Sequence, residues 1–498
     1  MHRFFGSDFF NFEFIRLLST APNGGCEIGE ALASVSRIKD NDPESWSREW
    51  ASCSERAEAL ADEASASGDM VAARGAYLRA TNYARASQFM MSDRPNAPEP
   101  RLLPRAERYV TLFKKASGFL DEAELEFLNI PYEADKELPA ILYLPRDNFR
   151  LKGCKIPIVV NVNGGDSIQE ELFFVTPSAG PRLGYAVLTF DGPGQGMALR
   201  RDRLSMRPDY EFVTGKVLDF LWQYSKEHPE LELDLERVAV VGATLGGYNA
   251  LRAAVDPRFK ACVSIDPVYD LWELAIMRMP KWFINGWLSG WIKDSFVNGM
   301  ISLLSTLNFQ FKWEVNHMMW AFGCDQPAKA LLDLRSFSLQ GKDGKFLHKI
   351  HCPVLVSGAA AAIYFKPEMS TTRIYEELIH LNDSQKKSWI AKETEGGGLQ
   401  AKLDAQNQLR GFTSATIKLN QQIMAPVRET VLKLTSMRYK NDKVTEKEFH
   451  DYGTKEHAPK AAIIQARHGA LKVAQCDPAG KSTTTMSKSR YGVATRIK

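Results

Sequence analysis

The chain has 498 residues, 44% hydrophobic and 25% charged, with 63 lysines and arginines against 60 aspartates and glutamates. This length exceeds what one hydrophobic core usually organises, so a main domain of enzyme size with additions is expected. A formal net charge of +3 gives no electrostatic reason to expect a nucleic acid or an anionic membrane as partner.

At the N-terminus, MHRFFGSDFFNFEFIRLL is aromatic but interrupted by Asp8 and Glu13 and has no small-residue cleavage site. It reads as a packed helix and not as a signal peptide. Residues 46–90 repeat apolar and alanine positions at helical spacing and break at SGD, which predicts two antiparallel helices. A further helix is predicted over roughly 105–118, and GFLDEAELEFLNIPYEADKELPAILYLPRD alternates as β-hairpins do. Residues 1–130 are therefore assigned to a helical N-terminal region.

From Ile156 onward the pattern changes to short apolar runs followed by glycine loops: IPIVVNV, YAVLTF, RVAVV, ACVSI and PVLVS. Runs of this kind, separated by helical segments, suit a parallel sheet buried on both faces, hence a doubly wound α/β domain. Its first part is assigned to 131–270 and its second to 346–408. Between them, 271–345 is rich in Trp, Phe and Met. This stretch is predicted to be helical, serving as core packing or as a lid over an apolar pocket. Even at 281–305 it is broken by Lys281, Asn285, Lys293, Asp294 and Asn298, so no membrane span is expected. After Gln408 strand and turn order is lost. Residues 409–498 are set apart as an atypical, partly disordered tail, for which an altered reading frame is one explanation. The seven scattered cysteines form no CxxC pair, which predicts buried thiols, a reducing compartment and no zinc site.

Loops at the C-terminal ends of such strands carry the chemistry of this architecture. NVNGGDSIQEE, residues 161–171, would offer N–H groups from Gly165 and Asp166; its alternative reading is a glycine turn capped by Asp166 or Ser167. FDGPGQG, residues 190–196, reads as a tight turn with Asp191 structural. VVGATLGGYNA, residues 240–250, has the shape of a nucleophile elbow, with small Gly242 and Gly246 around Thr244 where a serine is usual. Thr244 would act as nucleophile only with a well-placed base, and the N–H of Leu245 would complete an oxyanion hole. The competing reading leaves Thr244 satisfying local hydrogen bonds on an inherited elbow.

With the helical segment GAYLRATNYARASQFMM and the run NGGDSIQEELFF, these loops resemble a subfamily of α/β-hydrolases over roughly residues 10–405. That subfamily includes dihydropseudooxynicotine hydrolase, which cleaves a carbon–carbon bond, and fungal hydrolases of fusarin-type and cytochalasan-type polyketide pathways. The resemblance implies an α/β-hydrolase fold with a helical lid insertion and a triad in the order nucleophile, acid, histidine. The position matching the acid, in GAAAAIYFKPE, is Ala361 or its neighbours Ala360 and Ala362, and the position matching the histidine, in TEGGGLQAK, is Gln400 or a neighbouring residue. Some hydrolases of this fold take their acid from the neighbouring strand, which makes Asp266 a substitute, with Asp270 close behind; either also suits a helix cap. Among the histidines, His317 in the lid stretch is the one placed to reach the pocket, although a lone histidine is more often packed than basic.

Two readings follow. One is an enzyme that hydrolyses or cyclises a polyketide-derived, apolar small molecule without cofactor or metal, in the cytoplasm, with a homodimer as an option. The other is a catalytically silent homologue that binds a small molecule or a partner protein.

Overall fold

A computed structural model describes residues 3–392, except 95, 96, 278 and 342, and beyond them two short strands. The chain divides into Met1–Arg428 and Glu429–Lys498. In the second unit the described residues are β9 (Lys472–Cys476) and β10 (Ser482–Met486), paired antiparallel. They fall inside the tail set apart from the sequence; the rest of that tail, and Gln400, lie outside the described residues.

The first unit begins with α1 (Asp8–Leu18), α2 (Ile28–Val35), α3 (Pro43–Ala66), α4 (Met70–Phe89) and α5 (Leu102–Ser117). Three of these starts have a clear local cause. Ser7 accepts from the Phe10 N–H at the head of α1, and Asp42 accepts from the N–H groups of Glu44 and Ser45 with Pro43 in the first turn of α3. Asp69, the last residue of the SGD turn that separates the antiparallel pair, caps α4. Phe9, Phe10, Phe14, Trp46, Trp50 and Tyr83 are buried together in the aromatic core of this region.

The chain enters its main sheet at Ala123, inside the stretch assigned to the helical region, because AELEFLNIP pairs with the strand that follows. The strands are β1 (Ala123–Pro131), β2 (Glu137–Pro145), β3 (Ile156–Val162), β4 (Ala186–Phe190), β5 (Leu233–Ala243), β6 (Phe259–Ile265), β7 (Val354–Ala359) and β8 (Lys386–Ala391). Their order is β1-β2-β4-β3-β5-β6-β7-β8, with β1, β2 and β4 joined antiparallel and every other pair parallel. The interior strands are buried almost throughout, whereas edge strand β8 is largely exposed and carries Lys386 and Lys387.

The connecting helices are α6 (Gln169–Leu172), α7 (Gly196–Arg200), α8 (Tyr210–Glu227) and α9 (Leu245–Ala253). Between β6 and β7 come the lid helices α10 (Leu271–Ile276), α11 (Lys281–Leu288), α12 (Asp294–Leu307), α13 (Phe309–Phe322) and α14 (Pro327–Asp333), and α15 (Thr371–Glu377) precedes β8. Among the described residues, no helix is long and apolar enough to cross a membrane. Since β4 lies on one side of β3 and β5 on the other, the winding reverses at β3. The loops after β3 and β5 therefore face one crevice, where this class of sheet binds its ligands.

Candidate active site

The turn from β5 to α9 is built on a single strained residue. Thr244 has φ 57° and ψ −118°, and its N–H donates to the Ile265 carbonyl at 2.8 Å. Such a conformation costs a β-branched residue about 1–3 kcal/mol and persists only where its surroundings impose it. Here they do: a Cβ added at Gly242 would lie 2.1 Å from the Gly246 carbonyl oxygen, so strand and helix meet more closely than any side chain permits. The Thr244 side chain does not cap α9. Its hydroxyl lies across from the loop after β3, 3.1 Å from where a Cβ of Gly164 would stand.

That loop is held by its carbonyl groups. Gln195 Nε2 donates to the Asn163 oxygen at 3.0 Å and the Gly164 oxygen at 2.9 Å, and Asn249 Nδ2 donates to the Asn163 oxygen at 3.1 Å. His317 Nε2 lies 3.0 Å from the Gly165 oxygen. A carbonyl only accepts, so the ring presents Nε2–H. Asp166 pairs with Arg16 of α1 at 2.7 Å. Neither Asp166 nor Ser167 caps α6, whose N-cap is Ile168; the Gln169 N–H instead donates to Asp191 Oδ1 at 2.9 Å. Asp191 is fully buried and also accepts from Asn163 Nδ2 and the Met197 N–H, which makes it the structural residue its loop suggested.

The residues considered as acid and base are distributed differently. Asp270 caps α10, accepting from the Glu273 N–H at 2.8 Å. Asp266 does not cap that helix: it is 2% exposed, has φ 46°, and its Oδ1 accepts from the Ala359 N–H at 3.4 Å. A carboxylate just after β6 thus reaches the end of β7, at the first residue of the alanine run in which Ala361 stands. His317 stacks on Trp313 with ring centroids 5.0 Å apart, and burial holds its pKa below the usual imidazole range. Its Nε2 is committed to Gly165, while Asp266 reaches Ala359, so the two are engaged on different strands' loops. His348, His351 and His380 gather before β7, at the opposite end of the sheet. Among the described residues no group of three or more His, Cys, Asp or Glu is placed to hold a metal ion.

A buried charge cluster behind the loop was not foreseen. Arg16 donates through Nε and Nη2 to the two oxygens of Glu171, both at 2.6 Å, and approaches Glu13 at 3.4 Å. Arg85 stands 3.8 Å from Glu171. Only the interruption of an aromatic helix by Glu13 and Arg16, with an acidic pair in QEE, hinted at it. Tyr364, two residues beyond the end of the alanine run at Ala362, meets Phe12 of α1 edge to face at 6.2 Å. The cavity beneath the elbow measures only about 10 Å³, lined by Asn161, Gly164, Thr176 and Ile265 among others. A larger hollow of about 640 Å³, bordered by Asn41, Leu307, Phe309 and Lys312, shares no residue with the site.

A mostly parallel sheet whose central strand turns into a helix through one strained residue, opposite a glycine loop at the winding reversal, defines an α/β-hydrolase. No family model matches the chain. It is 51% identical to hydrolyase poxO of Penicillium oxalicum, over 81% of this chain and 95% of that one. It is 50% identical to the 20-hydroxy-prefusarin hydrolase FUS2 of Gibberella moniliformis, over 81% and 94%. The fold is also that of 2,6-dihydroxy-pseudo-oxynicotine hydrolase, with a TM-score of 0.57 at 20% identity over 80% of this chain and 96% of that one. The chain belongs to this family of fungal α/β-hydrolases.

Proposed function

We infer that the protein is an enzyme acting on an apolar, polyketide-derived small molecule in secondary-metabolite biosynthesis, by hydrolysis of an ester, amide or carbon–carbon bond or by cyclisation. The observation that carries this reading is the elbow itself. A threonine kept at φ 57° beside a glycine loop whose Asn163, Gly164 and Gly165 carbonyls are tied back retains the costly half of the catalytic geometry. The relative whose name gives a substrate acts on 20-hydroxy-prefusarin, which supports the substrate class. Thr244 is the nucleophile position, Gly165, Asp166 and Leu245 supply the oxyanion donors, and Asp266 stands in as the acid.

A specific observation favours a second reading, a silent homologue that binds without turning over. Ala361 brings no carboxylate, and His317 spends its Nε2 on Gly165. Loss of a triad member ordinarily lowers turnover by a thousandfold or more, so ring closure guided by shape and hydrogen-bond donors fits this site better than ordinary ester hydrolysis.

The test is intact-protein mass spectrometry after exposure to a fluorophosphonate, beside Thr244→Ala. An activated Thr244 forms an Oγ–P bond as fluoride leaves with the hydroxyl proton. A mass gain lost in Thr244→Ala supports the covalent reading; no gain in folded protein removes it.

A further inference from the structure

Two elements outside the sheet hold adjacent residues of the loop after β3. From α1, Arg16 Nη1 donates to Asp166 Oδ2 at 2.7 Å while its other nitrogens grip Glu171, so one guanidinium ties both ends of 166–171. From the lid, His317 of α13 donates to the Gly165 carbonyl at 3.0 Å. Arg16 has a side chain 4% exposed, and His317 is packed between Trp313 and Trp320.

The consequence follows from the geometry of the peptide group. A trans peptide is planar, with its C=O and N–H pointing in opposite directions. The Gly165 carbonyl and the Asp166 N–H belong to one such unit, so the hydrogen bond from His317 sets the direction of the Asp166 N–H. Gln195 does the same for the Gly165 N–H by holding the Gly164 carbonyl. We propose that Arg16 and His317 are positioning residues, which fix the Gly165–Asp166 peptide so that its N–H serves as an oxyanion donor facing Thr244. The oxyanion hole is then assembled only when both the N-terminal helix and the lid are seated. This rests on the reading of Thr244 and the loop as the reacting site.

The experiment compares fluorophosphonate labelling of Thr244 in the full chain and in Arg16→Met, Arg16→Lys, His317→Phe and His317→Gln. An oxyanion donor is worth about 100-fold or more in rate. Arg16→Met and His317→Phe should lower the limiting labelling rate by 10- to 100-fold with the half-saturating probe concentration unchanged. His317→Gln, which keeps an N–H donor, should recover most of the rate. Labelling within twofold of wild type in both deletions, or a change in half-saturation alone, overturns the proposal. Should Arg16→Met fail to fold, His317→Phe and Asp166→Asn interrogate the same peptide. If the wild type itself is not labelled, the nucleophile reading fails, and hydrogen exchange at 163–168 then decides the clamp separately. Exchange about tenfold faster in His317→Phe supports it, and unchanged exchange overturns it.

Discussion

Glu13 shows what a buried cluster does to one titratable group. It lies in α1 facing Arg16 on its own helix, Arg85 of α4, and Asp166 and Glu171 of the loop and α6. Burial raises its pKa from 4.5 to about 7, Arg16 and Arg85 oppose the rise, and Asp166 and Glu171 add to it. Three carboxylates against two guanidinium groups leave one proton favoured, and Glu13 carries it. Because the folded state binds that proton more tightly, the contribution is fully present below about pH 4.5 and is lost as pH rises through 7. With about 1.4 kcal/mol per unit, its size is on the order of 3 kcal/mol. Urea melts from pH 5 to 8 should therefore show wild type losing stability relative to Glu13→Gln, whose side chain stays neutral. Parallel pH profiles for the two proteins would count against it. At this scale the sequence was a poor guide: Thr244 was legible because its neighbours must be small, whereas Arg16 meets its partners about 150 residues away.

At the scale of elements, the elbow is decided by contact between backbones. An alanine at position 242 would place its Cβ 2.1 Å from the Gly246 oxygen and 2.8 Å from Val162 Cγ2, both in tightly packed surroundings. Gly242→Ala should cost about 3 kcal/mol or more, or prevent soluble expression. Gly215, inside α8, meets nothing within 4 Å, so Gly215→Ala should stabilise by about 1 kcal/mol. Denaturant midpoints of the pair test the argument, and a mild effect at 242 would mean that β5 and α9 separate easily. The strands, the helix pair around SGD and the elbow followed from local pattern, since apolar runs, caps and small residues act within a few positions. The cap of α6 did not: it comes from Asp191 of the next loop, which displaced Asp166 and Ser167 from the role their position suggested.

For the first unit as a whole, the helical region and the lid meet over the site. Trp313 of α13 stacks with Phe89 at 5.0 Å, touches Phe9 at 4.9 Å and donates its Nε1–H to the Phe89 carbonyl at 3.0 Å. The same indole carries the imidazole of His317, so lid packing and loop geometry share one residue. Trp313→Ala should lower stability by about 3–5 kcal/mol through the cavity and the unpaired carbonyl. It should also hasten proteolytic cutting within 271–345. Unchanged melting and cutting would show that the lid stands independently of α1 and α4.

By itself the sequence determined the class of fold and the place of the elbow and of the loops opposite it. Those features depend on residue size, polarity and spacing along a short stretch of chain. Tertiary structure alone decided that Asp266 turns to Ala359 instead of capping a helix, that His317 engages Gly165, and that Arg16 secures Asp166. Each of these partnerships joins segments brought together by the packing of the sheet, the lid and the N-terminal helices. Distance in sequence carries no trace of it, because a buried charge or hydrogen-bonding group is satisfied by whatever the fold places beside it.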